Sequence, residues 1–190
     1  DYAIDNRNIL DWSSSIMAFK LLIEDFKKIC EYVDPSEANS ATYSHRIYEV
    51  FIRACMEFES NAKGILKANG YVKIDKKGNI IDENFWTVDD YKKLSPVLKL
   101  PEYEVLINFW DNGRGDKISP FVNLANGKSG VLVWYQDYNK VKHNREKDFN
   151  LASFNNLLNA LCGVFIILFS QYGVQVFNPY HNVTNYDDEG

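Results

Sequence analysis

LASFNNLLNALCGVFIILFSQY, residues 151–172, decides the class of this fold. From Ala160 to Phe169 every side of a helix drawn through it is apolar, and a helix of that kind lies at the centre of a larger body. A membrane span is the weaker reading. The apolar run Leu157–Phe169 covers about 13 residues and carries Asn159, short of the roughly 20 a span needs. Asn150 is the predicted N-cap, with Phe149 and Phe154 placed to staple the entry. A central helix needs partners with one apolar face each, and the rest of the chain offers them.

Ile16, Phe19, Leu22, Ile23, Phe26, Cys30 and Val33 recur at helical spacing, with Lys20, Glu24, Lys27 and Lys28 on the other faces. A second helix is predicted from about residue 37 to 68. Its stripe is Ile47, Val50, Phe51, Ala54, Phe58, Ala62 and Ile65, and Asn69-Gly70 stops it. A polar stripe through Arg46, Arg53 and Glu57 runs beside it, with Arg53 and Glu57 spaced to pair. A third helix is predicted over 131–145, with Val131, Trp134, Tyr138 and Val141 as its core face.

Residues 71–128 break this rhythm and read as an irregular insertion with β character. Val72 and Ile74 face Ile80 and Ile81 across a Lys76-Lys77-Gly78-Asn79 turn. Thr87 or Asp89 can cap a short helix. Tyr103, Val105, Ile107 and Phe109 alternate as in a strand, Asp111-Asn112-Gly113 turns, and 118–122 returns as an edge because of Pro120. The expected architecture is therefore mainly α, a bundle of four or more helices in one domain over 1–177. Residues 178–190 are expected to form a loose polar tail.

The chain has 190 residues, 46% of them hydrophobic, enough for one core. Its formal net charge is -5, which disfavours nonspecific coating of duplex DNA. Cys30, Cys55 and Cys162 are far apart and each falls in an apolar helical pattern. They read as buried thiols in a reducing cytoplasm, with no metal pair and no disulfide framework. No secretory pattern stands in these residues. No membrane association, metal or cofactor is expected.

The chemistry concentrates in Trp134 to Arg145. Asn139 and His143 are four apart and share a helix face, and Lys140 borders it. A histidine titrating near neutrality beside a cation can move protons on a phosphodiester and stabilise the developing charge. Equally, His143 and Arg145 can bond to Glu57 or Glu59 on a facing helix as a purely structural network.

The string Tyr138-Asn139-Lys140-Val141-Lys142-His143-Asn144-Arg145 precedes the apolar Asn156 to Phe165 segment. An upstream helix carries Glu57-Phe58-Glu59 and Lys63. Over Arg46–Leu66 and Trp134–Phe169 the chain resembles HEPN-like bacterial proteins. The resemblance implies a helical bundle that forms homodimers. It also implies a setting in toxin–antitoxin or antiphage systems, where many members are metal-independent RNases. The family motif is an arginine, a polar residue, three further residues and a histidine. Aligned on His143, Asn139 fills the polar position, and Tyr138 stands where the arginine belongs. Tyrosine supplies neither the permanent charge nor the fork that grips phosphate. Arg145 follows His143 by two positions, roughly 200° around a helix.

Two functions follow. One is a noncatalytic or weakly active module binding RNA, a nucleotide or a partner protein through Tyr138, Lys140, Arg46, Arg53 and Glu57. The other is a metal-independent endoribonuclease with His143 as general acid or base. Asn139 would then orient the phosphate, and Lys142 or Arg145 would stabilise the transition state.

Overall fold

Ile16, Phe19, Leu22, Phe26 and Ile29 fall on one stripe of the first helix, and all are buried. A computed structural model describes residues 12–113 and 115–177, the side chains of 126–129 aside, and places this helix, α1, at Trp12–Cys30. The predicted tail at 178–190 lies outside the described residues.

The second helix, α2, runs His45–Ala68, shorter at its start than the predicted 37–68. Glu37–Asn39 form only one 3-10 turn. The intervening backbone is engaged elsewhere. Ser40 and Thr42 carbonyls accept from Asn155 and Phe154 amides at 2.9 and 2.7 Å, and Tyr43 bridges to Ser153. Carbonyls used that way cannot serve a helix ladder. Ser44 then caps α2 by accepting the Ile47 amide at 3.1 Å. The predicted stripe from Ile47 to Ile65 is buried throughout. Gly70, at φ +69°, takes the left-handed turn that ends the helix.

The segment after α2 holds two small antiparallel pairs. β1 (Lys73–Ile74) pairs with β2 (Ile80–Ile81), as predicted. Thr87 caps the short α3 (Val88–Tyr91), with Asp90 completing a capping box, and α4 (Ser95–Leu98) follows. β3 (Val105–Ile107) pairs with β4 (Asp116–Ile118), Val105 opposite Ile118. The return strand thus begins before the predicted 118–122, and Pro120 falls beyond it, where no ladder donor is needed. Asp111, Asn112 and Gly113 all take positive φ in the turn. This segment belongs to the core: Trp86, Tyr91, Leu94, Leu98, Leu100, Trp110 and Phe121 are all buried.

The third predicted helix divides. α5 is Val133–His143, and α6 is Arg145–Asp148, with Asn144 in a non-helical conformation between them. The last helix, α7, spans Phe154–Tyr172. Its cap is Ser153, accepting from the Asn156 amide at 3.2 Å, and not the predicted Asn150. The predicted staple is also absent. Phe149 packs on Tyr43, His45 and Tyr48, whereas Phe154 stacks on Phe26 and Trp110.

α7 is the centre of the protein. Leu157, Ala160, Val164, Ile166, Ile167 and Leu168 are essentially inaccessible, and the helix packs chiefly on α2, with α1 and α5 beside it. Gly163 lets it approach closely: a Cβ there would stand 3.2 Å from Trp134 and 3.4 Å from Phe121. By length and composition α7 could cross a membrane, yet 67% of its apolar window is buried within the protein. Among the described residues the fold is mainly helical, and both two-stranded pairs lie between α2 and α5.

Candidate functional site

α5 turns one face inward. Trp134, Tyr135, Tyr138 and Val141 are buried, and Trp134 donates its indole N–H to the Pro120 carbonyl at 3.1 Å. Tyr138 stands edge-on to Phe51 of α2 at 6.4 Å between ring centres and has no exposed surface. Its hydroxyl is buried without a hydrogen-bond partner. Burial, and then the charge of Glu59, pushes that hydroxyl far above the ordinary tyrosine range. The residue at the motif's arginine position is therefore part of the core.

A polar knot ties α5 to α2. The Tyr135 hydroxyl donates to Glu59 at 2.5 Å. Burial first, and this bond second, raise the Tyr135 hydroxyl. Tyr91 of α3 is raised by burial and by the same carboxylate. A structural bond thus forms at Glu59, but not the expected one from His143 or Arg145. Its donor is Tyr135, whereas His143 and Arg145 are exposed and donate nothing to it. Cys55 lies within the electrostatic reach of Glu59 and Lys142, fully buried, and burial holds its thiol protonated.

A second knot ties α5 to α7. Asp137 is buried and accepts from Asn156 at 3.0 Å and from Lys140 at 2.8 Å. Lys140 is thereby held by a carboxylate of its own helix.

The remaining polar residues of the string face outward. Asn139 is half-buried, and Lys142, His143, Arg145 and Lys147 are exposed. Asn139 and His143 keep the predicted shared side, because α5 persists as far as His143. Lys142 places its ammonium 5.1 Å over the Tyr138 ring. The break at Asn144 redirects Arg145, whose guanidinium lies 5.5 Å over the ring of Tyr48 on α2. Phe149 completes the corner, 4.9 Å from the His45 ring and 5.7 Å edge-on to Tyr43. Tyr43 itself is 51% exposed. Tyr43, His45, Tyr48 and Phe149 were not legible as site residues. Their contacts join the start of α2 to the turn before α7, and no local spacing announces that.

Arg46 and Arg53 serve a different seam. Both donate to Asp25 of α1, and Arg46 also reaches Glu49 at 3.1 Å. The Arg53 hydrogen bond, together with the charges of both arginines, holds Asp25 below the usual carboxylate range against the opposing effect of burial. The predicted Arg53–Glu57 pair gives way to this contact between helices, and Arg53 acts on Glu57 only as a nearby charge. Glu57 is half-buried, and burial raises its carboxyl. Among the described residues no three His, Cys, Asp or Glu side chains converge as metal ligands.

The chain matches no family model, no curated protein and no solved structure. What the fold and site define is a class: a mainly α-helical protein with a charged, aromatic corner at the α5–α6 junction, where Lys142, Arg145 and Lys147 stand with Glu146 and Asp148.

Proposed function

We propose that this chain is a noncatalytic, HEPN-like helical module that binds single-stranded RNA at the α5–α6 corner. The observation that carries the reading is the placement of Tyr138. Where the motif's arginine would meet phosphate, this chain has a ring with no exposed surface, packed against Phe51. The catalytic constellation then lacks the forked cation of the motif: Lys140 is engaged by Asp137, Arg145 lies on Tyr48, and Lys142, over the Tyr138 ring, offers a point charge without the planar fork. What stays outside suits binding. Lys142, His143, Arg145 and Lys147 are exposed, with Glu146 among them; Arg145 lies on Tyr48, and the exposed Tyr43 and His45 rings meet Phe149 at the same corner. Cations that track a backbone and rings that stack on bases are how single strands are held without sequence preference. The acidic net charge of -5 makes such binding local and weak, hence strongly dependent on salt. The same resemblance makes the working form a homodimer in the cytoplasm of a bacterium, within defence or stress response.

The test is fluorescence anisotropy of a labelled oligouridylate against added salt, run beside incubation with total RNA in EDTA. The expected result is binding whose logarithmic salt slope is about -0.7 for each phosphate contacted. Lys142→Ala with Arg145→Ala should weaken it, with RNA left intact. An unchanged affinity in that double variant would sink the proposal. One observation favours the nuclease instead, the shared exposed side of Asn139 and His143. Cleavage by the wild type to cyclic phosphates, abolished by His143→Ala, would establish it.

A further inference from the structure

On the opposite side of α7 from α5 lies a cavity of about 510 Å³ that the RNA reading leaves unused. Phe19, Ile23, Phe26 and Cys30 of α1 form one wall. Leu158, Leu161, Cys162 and Phe165 of α7 form another, and Val105, Ile107 and Phe109 at β3 the third. A cavity of this size falls within the range of small-molecule sites, and its walls are almost wholly carbon. Its one charged lining residue is Lys27, in the last turn of α1. Lys27 pairs with Glu24 at 2.8 Å, but both side chains are exposed, at 65% and 60%. Such a pair is screened and exchanges partners readily.

The shape of the lining selects among apolar ligands. Phe19 and Lys27 are separated by about 12 Å of helix rise, and the lysine side chain adds a few ångströms of reach. With carbon–carbon bonds of ~1.5 Å in a zigzag, about twelve carbons lie along that length. Aromatic rings cluster at the Phe19 end, with Phe165 5.9 Å from Phe19 and 5.0 Å from Phe177. The other end carries the ammonium. An apolar cavity with one cation in its lining matches an acyl chain ending in a carboxylate. We propose that this cavity is a binding site for a free fatty acid of about twelve carbons, its chain against Phe19 and Phe165 and its carboxylate on Lys27.

Cys30 lines the cavity and is half-buried, whereas Cys55 and Cys162 are buried, so Cys30 is the thiol a reagent meets first. The experiment is maleimide labelling at pH 9, followed by mass spectrometry, with and without dodecanoate below its micellar range. Dodecanoate should slow labelling at Cys30 about tenfold at saturation. Across octanoate, decanoate and dodecanoate the half-protecting concentration should fall about three- to fourfold for each added methylene. Lys27→Glu, a surface change that leaves the core intact, should weaken dodecanoate about tenfold and leave dodecanol unchanged. A Cys30 that resists labelling in the free protein would mean that the cavity is already covered by this chain or a second copy. That result would overturn the proposal, as would protection independent of chain length or of Lys27.

Discussion

Two tyrosines one helical turn apart on α5 show how much a single hydroxyl can differ in worth. Tyr135 donates to Glu59, while Tyr138 has its hydroxyl buried with no partner. Removing a bonded donor costs about 1–2 kcal/mol and leaves the Glu59 carboxylate short of a hydrogen bond. Removing a hydroxyl without a well-formed bond forfeits less. Urea unfolding of Tyr135→Phe should therefore show a loss of about 1–2 kcal/mol, and Tyr138→Phe a smaller one, since its hydroxyl lies near Glu59 without a bond of good geometry. Cys30 offers a second check at this scale. Burial, then the charge of Asp34, pushes its thiol up to about 11. Its alkylation rate should climb about tenfold per pH unit through pH 9 and level off only near 11. A plateau near pH 8.5 would contradict the burial. The spacing of Trp134, Tyr138 and Val141 marked the core face of α5, and all three are buried, but spacing does not show which buried hydroxyl finds a partner. The sequence placed Asn139 and His143 together correctly. Which tyrosine faces a carboxylate is set by α2, whose Glu59 lies far away along the chain.

At the scale of elements, the segment between α2 and α5 is fastened by Asp90. That carboxylate is 4% exposed and accepts from Lys73 at 2.8 Å, from the Tyr71 hydroxyl at 2.7 Å and from the Thr87 amide. Burial works to raise its pKa, yet the bonds from Lys73, Thr87 and Tyr71 prevail and hold it below the ordinary value of 3.8. A carboxyl depressed in the folded state adds stability that is present above its unfolded pKa and lost as pH falls through the folded one. The contribution should therefore persist down to about pH 4 and disappear below it. Asp90→Asn should cost about 2–3 kcal/mol at pH 7 and little at pH 2, read by thermal melts across that range. Gly130 is a second fastening. A Cβ there would fall 2.2 Å from the Asn123 carbonyl oxygen, which is backbone and cannot swing aside. Gly130→Ala should destabilise by more than about 2 kcal/mol in urea titration. The long helices were legible because their apolar stripes repeat at 3.6 residues. Their ends were less so. Ser153 caps α7 in place of Asn150, and α2 starts after Ser44 instead of at residue 37, because residues 40–43 bond across to the start of α7. The division of α5 from α6 at Asn144 had no periodic signal either, although it decides where Arg145 points.

For the molecule as a whole, the apolar character of residues 151–172 was the most informative signal, since it correctly demanded a surrounding shell. The shell's β-containing part was foreseen in kind and misplaced by a few residues in detail. Its deep contribution to the core, through residues such as Trp86, Trp110 and Phe121, escaped notice because single aromatic residues in irregular sequence carry no period. The acidic excess of the chain coexists with a charged, aromatic corner and a carbon-lined cavity on different sides of α7, so the two proposed ligands should bind independently. Saturating dodecanoate should leave the anisotropy curve for oligouridylate unmoved, and a shift of more than about twofold would show the two faces to be coupled.

The position of α7 also bears on how the protein comes into being. A chain is made from its amino end, so α1 and α2 exist well before the helix they are built to grip. Until Phe154–Tyr172 is added, the stripe from Ile47 to Ile65 has its principal partner missing, and the nascent protein shows water a long oily flank. Final closure must therefore follow translation of α7 and join segments separated by some 85 residues, a slow and aggregation-exposed step. Nascent chains halted before residue 154 should remain protease-sensitive throughout, and those halted far enough beyond residue 172 for α7 to leave the ribosome should become resistant together along their length.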